Sequence, residues 1–201
     1  MNAMDRAAAG SHPLWQYVFG NPRPVEVEIG CGTGTFILHA AATHPDSNYF
    51  GIERAPRRAR RVIPELATRA LANSRILAAD AGCIVINVVP DDSVRAYHIY
   101  FPDPWWKRRH FRRRYFSPEF AAALTRTLEP GGTLYLATDV DEVMERMLAT
   151  VRTHTSLVHH PELRSPRVGL TNFERKGMER GAEIHAAVFV KPPTAPVGSP
   201  R

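Results

Sequence analysis

The sequence contains only two cysteines, Cys31 and Cys83, and neither belongs to a CxxC pair. This scarcity excludes a disulfide framework and a cysteine-based zinc site as organising features. No run of about eighteen apolar residues occurs, and the start of the chain lacks the continuous apolar segment of an export signal. The histidines also lack metal-ligand spacing. We therefore expect a protein of the reducing cytoplasm, with no membrane span and no metal.

The rest of the composition is typical of a folded protein. The chain has 201 residues, of which 44% are hydrophobic, which is enough for one domain with a core. We expect a single domain over residues 1–191, with 1–24 as an N-terminal extension. The tail 192–201, PPTAPVGSPR, lacks core-forming residues and is predicted to be disordered.

Positive charge exceeds negative charge and is unevenly distributed. The formal net charge is +6, and the cations cluster as RAPRRARR over 54–61 and KRRHFRRR over 107–114. A solvated helix face explains one such run about as well as a polyanion site does. Two runs in one small domain, the second interleaved with aromatics, favour a nucleic-acid partner.

Short β-branched or aromatic segments alternate with helical segments along the chain. Six segments are predicted as strands: 25–30, 48–53, 74–80, 94–101, 132–139 and 182–191. Four are predicted as helices, the second kinked or split at Pro64: 33–44, 56–73, 117–128 and 139–154. Pro130, Gly131 and Gly132 predict a stop and a turn. This alternation predicts an α/β doubly wound fold with a mostly parallel sheet, whose ligands bind at the carboxyl ends of the strands.

The candidate site residues all follow predicted strands. The glycines of GCGTG, which are Gly30, Gly32 and Gly34, form a strand-to-helix loop that lets the backbone approach a ligand. Thr35 stands where the dinucleotide fingerprint needs its third small residue, so the loop disfavours NAD. We therefore expect a different adenosine cofactor on this rim.

Carboxylates at the other strand ends indicate the kind of cofactor. Glu53 is placed to accept from both hydroxyls of a ribose, and Asp80 from an adenine amino group. Glu28 faces the loop, where it is placed to hold an amino group. A cationic sulfonium ligand needs nearby carboxylates and no phosphate-binding lysine, and this rim matches that requirement.

The stretch FPDPWWKRRHFRRRYF, 101–116, places one carboxylate, Asp103, between two prolines and a cationic run. The prolines fix the backbone on both sides, and Trp105 and Trp106 offer faces on which an unpaired base stacks. Lys107, Arg109 and the other cations of the run are predicted to contact backbone phosphates.

Several motifs resemble those of the bacterial tRNA (guanine-N7)-methyltransferase family over about residues 25–185. They are VEVEIGCGTGTF, FGIERA, LAADA, YFPDPWWKRRHFRRRYFSPEF, LATDVDEVMERML and TNFERKG. The resemblance implies a Rossmann-like class I methyltransferase fold with an antiparallel last strand, S-adenosyl-L-methionine as cofactor and the variable loop of tRNA as substrate. It implies that Glu28, Glu53, Asp80 and Asp103 are the cofactor-site acids, with Asp103 also at the reaction centre. The substrate positions it implies are Lys107, Asp139, Thr171, Asn172, Phe173 and Glu174.

Guanine N7 carries a lone pair and no proton, so methyl transfer to it needs alignment and charge stabilisation more than a general base. A carboxylate such as Asp103 or Asp139 would stabilise the cation that develops on the purine. It would also accept hydrogen bonds from the guanine imino and amino groups, which adenine cannot offer.

The chain departs from the family at three places: PWWK at Trp106 replaces PWPK, TNFE at Asn172 replaces TKFE, and Ala186-Ala187 replaces an aromatic and an acid. Asn172 removes a positive charge from the substrate side, which argues against full affinity for the substrate.

Two other functions stay open at this point, which are methylation of an exocyclic nucleobase amine and RNA binding without catalysis. An NAD-dependent oxidoreductase is the third and least supported. The protein is expected to be a monomer or a homodimer.

Overall fold

A computed structural model describes residues 11–102, 116–166 and 183–193. In chain order its elements are α1 Pro13–Phe19, β1 Val25–Ile29, α2 Thr35–Thr43, β2 Asn48–Glu53, α3 Pro56–Thr68, β3 Ser74–Ala78, α4 Ala81–Asn87, β4 Val94–Tyr100, α5 Pro118–Thr127, β5 Leu128–Thr138, α6 Asp141–His154, β6 Val158–His159 and β7 His185–Val190.

The strands form one seven-stranded sheet in the order β3-β2-β1-β4-β5-β7-β6. The pairs from β3 to β5 are parallel, whereas β7 runs antiparallel to both β5 and β6. The predicted doubly wound fold with an antiparallel last strand is therefore confirmed. Successive connections leave β1 in one direction and β4 in the other, so the topological switch point lies between the carboxyl ends of these two strands.

The alternation in β1 shows why the sheet carries helices on both faces. Val25, Val27 and Ile29 point into one core, together with buried residues of α1, α4, α5 and α6. Glu26 and Glu28 point to the opposite face, because successive side chains of a strand alternate. On that face α2 and α3 pack through a second cluster that includes Ile37 and Val62.

One predicted helix and one predicted turn differ from the structure. The second predicted helix ends at Thr68 rather than at 73, and it continues through Pro64 without being split. Pro64 is exposed and lies in the third turn, so the carbonyl that loses its intrahelical donor faces water. The segment 130–132 lies within β5, where the register with β4 shifts and Gly131 adopts a φ of +82°.

Three elements were not predicted at all: α1, α4 and the two-residue β6. α1 begins at Pro13, ends at the left-handed Gly20 and buries Trp15. The indole of Trp15 packs edge-on against Phe50 with ring centroids 5.4 Å apart. Trp15 and Phe19 of this N-terminal segment are therefore part of the packed core. Within the described residues, no helix has the length and apolar character that crossing a membrane requires.

Candidate active site

The loop between β1 and α2 has the backbone that its glycines predict. Gly30, Gly32 and Gly34 all adopt positive φ, at +75°, +53° and +75°. The Gly30 N–H donates to the carbonyl of Ile52 at 2.7 Å, and the Gly34 N–H donates to the carbonyl of Cys31 at 2.7 Å. These bonds fold the loop over the ends of β1 and β2, where its backbone is accessible to a ligand.

Glu53, the last residue of β2, is the central acid of this rim. One carboxylate oxygen, Oε2, accepts from the Gly32 N–H at 2.8 Å, and the other, Oε1, accepts from the Ala55 N–H at 2.7 Å. The side chain is only 4% exposed. Each oxygen keeps a further lone pair, so a carboxylate fixed in this way can still accept from two neighbouring hydroxyl groups of a ligand.

Glu28 lies next to it on β1 and is also buried. Its Oε2 has no hydrogen-bond partner among the described residues. The pKa of Glu28 is raised to about 8, mainly because the carboxyl is buried; a hydrogen bond from the Ile37 backbone lowers it, and the negative charge of Glu53 adds to the increase. A buried carboxyl with a free oxygen, beside a second carboxylate, is suited to pair with a cation that enters the site.

Cys31 lies in the same loop but has no place in the chemistry. Burial raises the pKa of its thiol, and the charges of Glu28 and Glu53 raise it further. The thiol therefore stays protonated at neutral pH and is not a nucleophile. Cys31 and Cys83 are both free.

Asp80 does not end β3, as the sequence predicted, but lies two residues beyond it. β3 ends at Ala78, and Asp80 is the N-cap of α4, where its Oδ1 accepts from the Cys83 N–H at 3.2 Å. Its Oδ2 lies 3.9 Å from Nε of Arg54, and the side chain is 57% exposed. Asp80 is therefore on the rim, with one oxygen in a helix cap and the other near a cation.

Asp139 follows β5 directly and is exposed. β4 pairs with β5 up to the register of Tyr100 with Ala137, so Asp139 lies beside the end of β4. Phe101 then turns the chain with a φ of +48°, and its N–H donates to the Ala137 carbonyl at 2.8 Å. The predicted site residues that follow lie outside the described residues: Asp103, Lys107, Arg109, Thr171, Asn172, Phe173 and Glu174.

A buried polar network was missed by the sequence analysis. Nε2 of His98 lies 2.8 Å from Oε2 of Glu26, and its Nδ1 lies 2.9 Å from the hydroxyl of Tyr100. That hydroxyl also lies 2.8 Å from Oγ of Ser165. The sequence offered one signal for this network, because His98 and Tyr100 are two residues apart and therefore lie on the same face of a strand. The network ties the last residue of β4 to the segment that precedes β7.

A cleft of about 420 Å³ lies on the same face of the sheet, towards the amino ends of the strands. Glu26, Phe36, Tyr49, Arg95 and Tyr135 are among its lining residues. None of the predicted site residues that the structure describes lines this cleft, since they lie at the opposite ends of the strands. Among the described residues, no group of three or more His, Cys, Asp or Glu is suited to hold a metal ion.

The sheet order and the glycine loop are those of the Rossmann-like class I methyltransferase fold. Solved structures agree on the fold. The 16S rRNA methyltransferase KamB superposes with a TM-score of 0.64 at 15% identity, over 90% of this chain and 94% of that one. The aminoglycoside resistance methyltransferase NpmB1 superposes with a TM-score of 0.57 at 18% identity, over 84% and 87% of the two chains.

Sequence comparisons identify the family within this class. Residues 22–187 match a family described as putative methyltransferase. A tRNA (guanine-N(7)-)-methyltransferase of Alkalilimnicola ehrlichii is 36% identical over 94% of this chain and 81% of its own length. The enzyme of the same name from Burkholderia mallei is 34% identical over 90% and 70%. The chain belongs to the tRNA (guanine-N7)-methyltransferase family.

Proposed function

We propose that this protein transfers a methyl group from S-adenosyl-L-methionine to N7 of a guanine in the variable loop of tRNA. The observation that carries the proposal is the pair of buried acids, Glu28 and Glu53, beside the glycine loop, in a chain of this family. Such a site favours a cationic ligand over a phosphate, because positive charge lets the Glu28 carboxyl ionise beside Glu53, whereas a phosphate would add further negative charge.

The described residues fit this cofactor on two counts. Oε2 of Glu28 is buried and has no partner in the part of the chain that the structure describes, as expected of a group whose partner is a ligand. The loop places three glycines, Gly30, Gly32 and Gly34, at the switch point, where their backbone can approach a ligand without β-carbons in the way. We assign Glu28 to the amino group, Glu53 to the ribose hydroxyls and Asp80 to the adenine, with the three glycines around the chain of the ligand and Asp103 beside it.

When bound, the cofactor supplies an electrophilic methyl group on a positively charged sulfur. The guanine supplies the lone pair of N7, so no residue of the chain has to remove a proton. Asp103, or Asp139 across the end of β5, accepts hydrogen bonds from the guanine imino and amino groups. The negative charge of that carboxylate then stabilises the cation that forms on the purine. Lys107, Arg109 and the stretch from Thr171 to Glu174 hold the RNA around that guanine.

We further propose that residues 1–191 act as one methyltransferase domain in the cytoplasm, as a monomer or a homodimer. The packing of Trp15 in the core supports the inclusion of the N-terminal segment in this domain. The two free cysteines are compatible with a reducing compartment.

The test is transfer of labelled methyl from S-adenosylmethionine to unmodified bulk tRNA, followed by nucleoside analysis of the product. We expect 7-methylguanosine. A label on an exocyclic amine would show that the protein methylates an amine of the base and not guanine N7. Bound tRNA without any transferred label would identify a binding protein instead, and both results would overturn the proposal.

A further inference from the structure

The first basic run, 54–61, is described in full and has no part in the chemistry proposed above. Arg54 follows Glu53 directly, and the other four arginines lie in the first two turns of α3. We define the α3 cationic surface by these five residues: Arg54, Arg57, Arg58, Arg60 and Arg61. All five are exposed.

The cations of this surface are not neutralised within the described structure. Arg54 has only a distant acidic neighbour, Asp80, at 3.9 Å. No carboxylate of the described residues lies within ion-pair distance of the other four. The second half of the same helix differs, because Glu65 and Arg69 form an ion pair at 3.4 Å. The excess positive charge is therefore concentrated at the start of α3.

The position of the charge is unfavourable for the helix itself. The amino end of a helix carries partial positive charge, which favours acids, yet the first turn of α3 contains none. Arginines three and four residues apart, such as Arg57 with Arg60 and Arg61, also repel one another. A sequence that keeps unpaired cations where local energetics disfavours them indicates a role in binding.

The chemistry of the exposed face excludes a membrane surface as the favoured partner. A helix that binds a membrane directs an apolar face outwards. Three apolar residues of α3, Ala59, Val62 and Leu66, are buried against the sheet. Ile63, which is 47% exposed, and Ala67 follow the arginines and are too few to form an outward apolar face. The outward face of the first two turns carries guanidinium groups, which bind phosphates in a bidentate manner.

α3 is also fixed to the candidate active site. The Ala55 N–H, one residue before the helix, donates to Glu53 Oε1 at 2.7 Å. Val62 packs directly beneath Gly34 of the cofactor loop. β2, which leads into α3, is two strands away from β4, which leads to Asp103. At the usual strand spacing this separation is about 10 Å. A substrate that is much larger than its target base therefore extends across the ends of both β2 and β4.

We propose that the α3 cationic surface is a second tRNA-binding surface, which holds phosphodiester groups away from the target guanine. This inference rests on the proposed function for the identity of the RNA. The run at 107–114 then binds near the reacting base, and the α3 surface binds a more distant part of the same molecule. Neither contact reads sequence, because phosphates carry no base identity.

The experiment compares two double variants of the full-length protein that lose the same charge. Arg57→Gln/Arg58→Gln removes two cations from the α3 surface. Arg146→Gln/Arg152→Gln removes two exposed arginines of α6, which packs on the opposite face of the sheet. The binding of unmodified bulk tRNA is measured between 50 and 300 mM KCl, and circular dichroism confirms that both variants fold.

We expect the α3 variant to bind tRNA about tenfold more weakly and its salt dependence to fall by roughly one to two units of slope. The affinity for S-adenosylmethionine stays unchanged, and the α6 variant binds tRNA within about twofold of the wild type. Equal weakening of tRNA binding in both variants would show that the net charge alone causes the effect, and would overturn the proposal. An unchanged α3 variant would overturn it as well.

Two further outcomes separate this proposal from others. If the wild-type protein binds tRNA through α3 but transfers no methyl group, the proposed function fails and the binding surface stands. If the α3 variant keeps its tRNA affinity and instead loses binding to phosphatidylserine vesicles, the surface is a membrane contact and the RNA proposal is wrong.

Discussion

Gly34 and Val62 are in such close contact that a β-carbon on the glycine would lie 2.4 Å from Cγ1 of the valine. Real β-carbons do not approach a neighbour so closely, so the packing of α3 requires glycine at this position. Gly34 also has a φ of +75°, which side chains disfavour. The contact connects the cofactor loop to α3.

Gly34→Ala is therefore expected to weaken cofactor binding by at least tenfold and to destabilise the fold by more than the backbone strain alone. Gly20→Ala is the matched control, because Gly20 has a φ of +72° and nothing within 4 Å of its added β-carbon. The control should lose only about 1–2 kcal/mol. Isothermal titration and urea unfolding measure both effects. Equal losses in the two variants would show that the contact with Val62 does not matter.

Glu28→Gln is expected to change how stability depends on pH. The pKa of Glu28 is raised from 4.5 to about 8 in the folded protein. The folded state therefore holds this proton more tightly than the unfolded chain does. The resulting stabilisation is complete below pH 4.5 and is lost as the pH rises towards 8, by roughly 1.4 kcal/mol per unit. The free energy of unfolding is measured for both proteins between pH 5 and 8. That of the wild type should contain this pH-dependent decrease, and that of the variant should not.

The same residue links cofactor affinity to pH. Between pH 6 and 7 the cationic ligand has to displace the proton of Glu28, so wild-type affinity should rise by up to about tenfold per unit. Glu28→Gln should bind more weakly and show no such rise. Titrations at the two pH values test this, and a variant with the wild-type pH profile would remove Glu28 from the contact with the ligand.

Glu53→Gln should lower cofactor affinity by about tenfold or more, because both carboxylate oxygens already accept backbone N–H groups. A glutamine supplies only one acceptor atom, so either Gly32 or Ala55 loses its partner. Glu65→Gln on α3 is the control, since Glu65 is exposed and pairs only with Arg69. We expect the control to bind the cofactor as the wild type does.

Asp103→Ala should keep tRNA affinity within about threefold and lose most of the turnover. The reason is that its carboxylate stabilises charge that appears only during methyl transfer. Asp46→Ala, an exposed acid in the turn before β2, should leave both quantities unchanged. Single-turnover rates and equilibrium tRNA binding separate the two effects. An equal loss of affinity and rate would make Asp103 a binding residue.

Six of the seven strands were predictable because their signal is local. β1 alternates valine with glutamate, and β2 is a short apolar run, and both were predicted nearly to the residue. α4 escaped because AGCIVIN is a short apolar segment after a strand, where length and period do not separate helix from strand. Asp80 then appeared as a strand-end ligand although its side chain caps a helix.

The environment of the site residues was less predictable than their order. That Glu28 and Glu53 share a rim follows from the parallel strands. The lack of a partner for Glu28, and the two backbone donors that hold Glu53, depend on how the loop folds and on Ile37 of α2. The hydrogen bond between Glu26 and His98 depends on the pairing of β1 with β4, two strands that are far apart in sequence. A pattern in either strand alone does not show this pairing.

The order of the strands has a consequence for the biosynthesis of this protein. β1 makes a complete pair with β4, and the hydrogen bond between Glu26 and His98 joins residues 72 positions apart. While the ribosome is still making residues before β4, β1 is the open edge of a nascent three-stranded unit with Val25 and Val27 uncovered. Such an edge templates aggregation. The edge of β1 therefore stays open from the completion of β3 at Ala78 until β4 has been made, and pairing with another chain is favoured in that interval.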